Sequence, residues 1–269
     1  MHKFVLPILL ALLLCTSCSA PHPRQQPDRV LFVGNSQLYV GNVPAVAAAL
    51  ASANGHAFHS DMIVKGGATL AERVADGSVE QALAGRAYTM LVLQERGGDL
   101  MCSFGPDSCI QSRRAIRTLA RLARKNGTAV VLLGTYQTLP SASRRLVEAE
   151  SSAAAAAGIP YIEVSENLQD LRSAEPGLTW FYIDGMHPGK DLVLLDAILL
   201  YRHLTGSDPA ARDFIADAPI YTSNSGLAAS LRAADDPPPQ AGTPRAASYT
   251  AATIEELLAV INRGEGRQR

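Results

Sequence analysis

An α/β fold, a three-layer α/β/α sandwich around a flavodoxin-like five-stranded parallel sheet, follows from three observations on the sequence. Five short apolar runs alternate with longer stretches of helical spacing, the pattern of repeated βαβ units. The run at 128–134 is nearly all apolar, as a strand covered on both faces must be. The polar residues that carry chemistry follow these runs, and in such sheets functional residues gather at the carboxyl ends of the strands.

The elements read in order as follows. Residues 30–34 form the first strand, and 44–53 a helix with Val43, Val46 and Leu50 on one face. Residues 56–64 are the second strand, and 70–83 a helical stretch. The third strand, 88–94, is bracketed by Gly85 and by Gly97-Gly98. A long amphipathic helix over 110–125 stops at Gly127, before the fourth strand. A helix over 141–157 ends at Gly158, the fifth strand is 159–164, and 168–172 is a short helix. The helix at 191–204 is almost wholly apolar and stops near Gly206. Residues 222–252 are rich in Ala, Ser, Asp and Pro, which reads as linker or surface wrap. Ile254, Leu257, Leu258 and Ile261 then regain helical spacing and are expected to dock back. The organisation is a signal peptide 1–18, a tether 19–28, the main domain 29–220, a linker or wrap 221–252, and a C-terminal helix and tail 253–269.

With 269 residues, 47% hydrophobic and 18% charged, the chain can bury a sizeable core. A net charge of −1 gives no global reason to expect nucleic acid as a partner. Lys3 and the apolar run 5–14 have the form of an export signal, too short for a spanning helix. Pro21 after Ala20 suits ordinary signal cleavage poorly. The small residues before Cys18 look like a bacterial lipobox, with Cys18 acylated and 21–27 as a tether. Plain secretion and a retained anchor are the alternatives. Beyond the leader, Cys102 and Cys109 are close enough in sequence for a disulfide in an oxidising compartment. Two unpaired thiols are the bland alternative, and two sulfurs without a nearby histidine do not make a zinc site.

Gly34-Asn35-Ser36 follows the first strand and precedes a helix, so the Ser36 hydroxyl stands at the sheet edge. Its backbone N–H is suited to an oxyanion, although a serine there can also simply start a turn. Asp184-Gly185-Met186-His187-Pro188 places a carboxylate three residues before an imidazole. A local turn across Gly185 lets Asp184 fix the His187 tautomer and support its positive charge; the bland reading is a helix N-terminal cap. Together the motifs supply serine, aspartate and histidine for a hydrolytic triad. Gly66-Gly67 after the second strand allows close approach of backbone to a ligand, or is an ordinary turn. Gln94 at the end of the third strand carries an amide able to donate to an oxyanion, or merely marks where the chain leaves the sheet.

These residues resemble the blocks of the SGNH (GDSL-type) hydrolase superfamily, over roughly 29–205. Phe32-Val33-Gly34-Asn35-Ser36 matches the first block, Lys65-Gly66-Gly67-Ala68-Thr69-Leu70 resembles the second, and Asp184–Pro188 matches the last. The third block departs, because Gln94 in Val92-Leu93-Gln94-Glu95-Arg96 stands where Gly-x-Asn belongs. It resembles a bacterial branch with Leu-Gln-Glu there and Gly-Asn-Ser in front. The resemblance implies Ser36 as nucleophile, His187 as base and Asp184 as its orienter. It implies an oxyanion hole of the Ser36 and Gly67 N–H groups with the Gln94 amide, and no metal or organic cofactor.

Asn35, Tyr136 and Trp180 are candidate substrate-lining residues, with core packing an equal reading for Trp180. Arg113, Arg117, Arg121 and Arg124 recur at helical spacing opposite Ile116, Leu119 and Ala120; they read as a solvated face or as a strip for anionic glycan or lipid headgroups. The expectation is an exported serine esterase, lipid-anchored in the bacterial envelope at the periplasm or outer membrane. It would act on O-acyl groups, foremost O-acetyl on carbohydrate, with a lipid or aryl ester as the rival. The alternative is an inactive envelope protein of this fold that binds glycan or a partner.

Overall fold

The computed structural model describes residues 28–268, so the leader, Cys18 and most of the tether lie outside the described residues. The first half runs β1 (Asp28–Gly34), α1 (Ser36–Tyr39), α2 (Val43–Ala53), β2 (Phe58–Val64), α3 (Leu70–Ala75), α4 (Ser78–Gly85) and β3 (Met90–Leu93). It continues with α5 (Pro106–Lys125), β4 (Ala129–Leu133), α6 (Pro140–Ala157), β5 (Tyr161–Ile162), α7 (Ser165–Ala174) and α8 (Lys190–Thr205). The remainder is β6 (Phe214–Pro219), β7 (Arg232–Ala233), β8 (Arg245–Tyr249) and α9 (Ala251–Gln268).

The main sheet has the order β5-β4-β3-β1-β2-β7. Its first five strands are parallel, as expected for a flavodoxin-like sheet, and β7 adds a short antiparallel edge to β2. The strand order reverses between β1 and β3, which opens a crevice at their carboxyl ends. Side chains alternate across the sheet. Val30 and Phe32 of β1 enter one core with α2, α7, α8 and α9, while Leu31 and Val33 enter a second core with α3, α4, α5 and α6. Burying each such side chain contributes about 1.5–3 kcal/mol. Among the described residues the two cores run from Val30 to Ile261.

Three expectations on the elements change. The helical stretch 70–83 is broken, because Gly77 takes φ +68 and Asp76 Oδ1 accepts from the Ser78 N–H at 2.9 Å, starting α4 anew. The segment 221–252 carries β7 and β8, of two and five residues, too short to show alternation. β8 pairs with β6, a strand that the sequence reading passed over. α8 is apolar all round because the sheet side and the C-terminal elements both cover it.

Cys102 and Cys109 form a disulfide, with Cα atoms 4.9 Å apart. Cys102 sits at φ +58, a conformation that costs a non-glycine residue about 1–2 kcal/mol. The bridge holds that turn in place. Reduction is expected to cost about 2–3 kcal/mol by loop-closure entropy. For a domain of this size that lowers the melting temperature by about 5–10 °C. A melt with and without reductant checks this, and an unchanged midpoint refutes it.

Candidate active site

Ser36 is the first residue of α1 and is half-buried. A Cβ on Gly34 would lie 3.0 Å from the Gln94 carbonyl oxygen, so only glycine lets the ends of β1 and β3 come this close. Asn35 caps α1: its Oδ1 accepts from the Gln37 N–H at 3.0 Å. Its Nδ2 is buried without a protein partner. The Ser36 N–H donates to no acceptor among the described residues.

The base is built by one closed loop. The Gly189 N–H donates to the Trp180 carbonyl at 2.9 Å, and the Tyr182 N–H to the His187 carbonyl at 2.8 Å. A side chain on Gly189 would strike the Thr179 carbonyl and the Phe181 backbone, so the loop closes tightly there. At its tip Gly185 takes φ +68, which turns the chain so that Asp184 faces His187. Asp184 Oδ2 lies 2.8 Å from His187 Nδ1. Asp184 Oδ1 accepts the N–H groups of Met186 and His187 at 2.9 and 3.0 Å. Burial pushes the Asp184 carboxyl up, but those N–H groups and the imidazole outweigh it and hold it at about 2. The carboxylate therefore stays ionised and selects the tautomer with the proton on Nδ1. His187 Nε2 is left to accept a proton.

The Tyr136 hydroxyl donates to the Met186 carbonyl at 2.8 Å, so the residue before His187 is held by a phenol that follows β4. No hydrogen bond joins Ser36 Oγ to His187 among the described residues; such contacts often tighten only with substrate bound.

Gly67 takes φ +67, and its N–H donates to no acceptor among the described residues. A Cβ on the adjacent Gly66 would lie 3.2 Å from the Tyr39 hydroxyl, which places this turn against α1. Glu95 sets the turn. Its Oε1 accepts the Leu70 N–H at 3.1 Å and the Arg96 N–H at 2.9 Å, tying the start of α3 to the end of β3. Arg96 grips Asp99 with two hydrogen bonds of 2.7 and 3.0 Å and reaches the Gly67 carbonyl at 3.4 Å. Glu95 and Arg96 are the residues that sequence reading missed as supports of the site. The bond from Leu70 to Glu95 spans 25 positions, which no local pattern displays.

Gln94 is buried, and one N–H of its amide donates to the Gly134 carbonyl at 3.2 Å, which ties the end of β3 to the end of β4. Trp180 is buried in the core, with its ring N–H on the Glu175 carbonyl at 3.0 Å, so it packs rather than lines the cleft. Among the described residues no group of three or more metal-ligating side chains occurs. None of their helices is long and apolar enough to cross a membrane.

Burial also pushes four carboxyls up, those of Glu95, Glu150, Glu163 and Asp196. Glu95 and Glu150 both reach about 7, although Glu150 accepts from Thr135 and Tyr161. The unfolded chain ionises them near their ordinary value, so it holds fewer protons than the native state between about 4.5 and 7. Stability therefore falls as pH rises through that window, by up to about 3 kcal/mol for each carboxyl. Asp184 acts the opposite way, and its contribution is lost only as pH falls through about 2. Urea unfolding at pH 5 and pH 8 is expected to show the lower midpoint at pH 8, and the reverse order refutes it.

No protein-family model matches the sequence, and no curated protein matches it. Solved structures do match. A putative SGNH hydrolase from Slackia heliotrinireducens aligns at TM-score 0.55 and 24% identity, over 66% of this chain and 100% of its own. Axe2, an acetylxylan esterase from Geobacillus stearothermophilus, aligns at 0.53 and 12%, over 66% and 94%. TesA aligns at 0.52 and 18%, over 66% and 99%. The chain has the fold of these SGNH hydrolases.

Proposed function

We propose that this chain, folded as an SGNH hydrolase, is a serine ester hydrolase. The observation that carries the reading is the Asp184–His187 pair, with Nδ1 on the carboxylate and Nε2 free to accept a proton. Ser36 Oγ attacks the ester carbonyl carbon while His187 Nε2 takes its proton. The oxyanion rests on the unspent N–H groups of Ser36 and Gly67. Protonated His187 passes the proton to the departing alcohol. Water, activated by the same imidazole, then releases the acid and restores Ser36. Gln94 ties the ends of β3 and β4 together, through Gly134. Asn35 and Tyr136 shape the cleft floor.

Carbohydrate O-acetyl groups are the first substrate in this reading, supported by the acetylxylan esterase among the neighbours. The rim favours a second reading, a lipid or aryl ester. Ile183 and Met186, which flank the pair, are 94% and 66% exposed, and Phe104 and Leu139 stand exposed on loops after β3 and β4. Rates on p-nitrophenyl acetate and octanoate separate the two readings. We further propose export with lipidation at Cys18. The Cys102–Cys109 bridge suits an oxidising compartment, and a mature mass without diacylglycerol would sink the anchor.

The central test is labelling with a fluorophosphonate followed by peptide mapping. One adduct on Ser36 is expected, blocked by prior turnover of an ester. An adduct elsewhere removes Ser36 as the nucleophile, and no adduct at all returns the chain to a non-enzymatic binding protein.

A further inference from the structure

A groove of about 430 Å³ runs between α5 and α6, away from the catalytic edge. Arg114, Arg117, Arg121 and Arg124 line one wall, and Ala156 and Ala157 the other. Of the arginines expected from helical spacing, Arg113 does not line the groove but bridges to α6 through Ser152 at 3.3 Å, and Arg114 lines it instead. Arg124 donates to the last carbonyls of α6, at Ala157 and Gly158, and Arg121 to the Thr118 hydroxyl. Arg114 and Arg117 have no hydrogen bond or ion pair among the described residues, and none of the four pairs with a carboxylate. α5 carries no acid after Asp107.

Like charges three and four residues apart on a helix repel one another and weaken it. A row left without internal counter-charge is relieved by anions from outside. The guanidinium fork matches a phosphate geometrically as well as electrically. The alanine wall offers no side-chain acceptor or ring with which to read sugar hydroxyls. Ten residues of helix extend the row over about 15 Å, enough for several headgroups. Its lower end, Arg124, lies at the amino edge of the sheet, just before β4 begins at Ala129. Asp28 opens β1 at that same edge, so the N-terminal segment enters there. The nine residues between Cys18 and Asp28 span at most about 30 Å.

We propose that the Arg114, Arg117, Arg121 and Arg124 row docks this protein on an anionic phospholipid surface, with headgroup phosphates as the ligand. The catalytic edge, at the other ends of the strands, is left clear for substrate.

The test uses residues 28–269, with a cooperative melt as the check that they fold. Sedimentation is measured with vesicles of phosphatidylcholine alone or with 30% phosphatidylglycerol, at low and high salt. Binding is expected only to the anionic vesicles, and to be lost in high salt. Each arginine near such a surface is worth about fivefold in partition. Arg117→Gln is expected to lose about that. The triple variant Arg114→Glu, Arg117→Glu, Arg121→Glu should lose more than about a hundredfold. Melting temperatures confirm folding, and the matching triple Lys variant should keep most of the binding. Equal partition onto both vesicles, unchanged binding by Arg117→Gln, or stabilisation by inorganic phosphate or an anionic polysaccharide without vesicle binding overturns the proposal.

Discussion

Ser36→Ala is expected to lower kcat/KM on p-nitrophenyl acetate by on the order of a thousandfold or more. The substitution removes the attacking oxygen and leaves nearly everything else. Asn35 still caps α1 through Gln37, the backbone N–H of residue 36 stays in place, and alanine is the residue a helix tolerates best. The Asp184–His187 contact lies in a separate loop. Melting temperature is therefore expected to hold within a degree or two, so lost activity reads as lost chemistry. Rates equal to the parent's would remove Ser36 from the reaction.

Asp184→Asn is expected to cost on the order of ten thousandfold in kcat. The asparagine carbonyl can still accept the Met186 and His187 N–H groups, which now meet Oδ1 at 2.9 and 3.0 Å, so the turn survives. Its amide nitrogen, however, would face Nδ1 as a donor. The imidazole then keeps its proton on Nε2 and cannot take one from Ser36. The loss should appear in kcat with little change in KM or in the melting temperature. Asp184→Ala should add a stability loss, because the two N–H groups lose their acceptor. A kcat within tenfold of the parent's for the asparagine variant refutes the assigned role.

The sequence displayed what is local. Ser36 follows an apolar run directly, and Asp184 and His187 lie in one turn, so spacing alone places their side chains. The five parallel strands and most helices were legible for the same reason, since periodicity is a local property. What stayed hidden depends on distant partners. Gln94 donates to Gly134, forty positions on. Glu95 earns its place through Leu70, and Tyr136 through Met186. Trp180 looks the same in sequence whether it stacks on a ligand or fills a core. β7 has two residues, and only its neighbour β2 makes it a strand.

The wholly apolar α8 has a practical meaning for anyone shortening this protein. A cut after α8, at Thr205, would remove every element that follows it. Such a cut strips Phe214, Tyr249, Ile254, Leu257 and Ile261 from the core that α8 shares with them. Leu192, Leu195 and Leu199 belong to that core too, and the flank of the helix that faced those residues would lie in water. The segment after Thr205, about a quarter of the chain, is thus a wall of the building rather than an annex. A trimmed chain should precipitate or self-associate before its chemistry can be assayed.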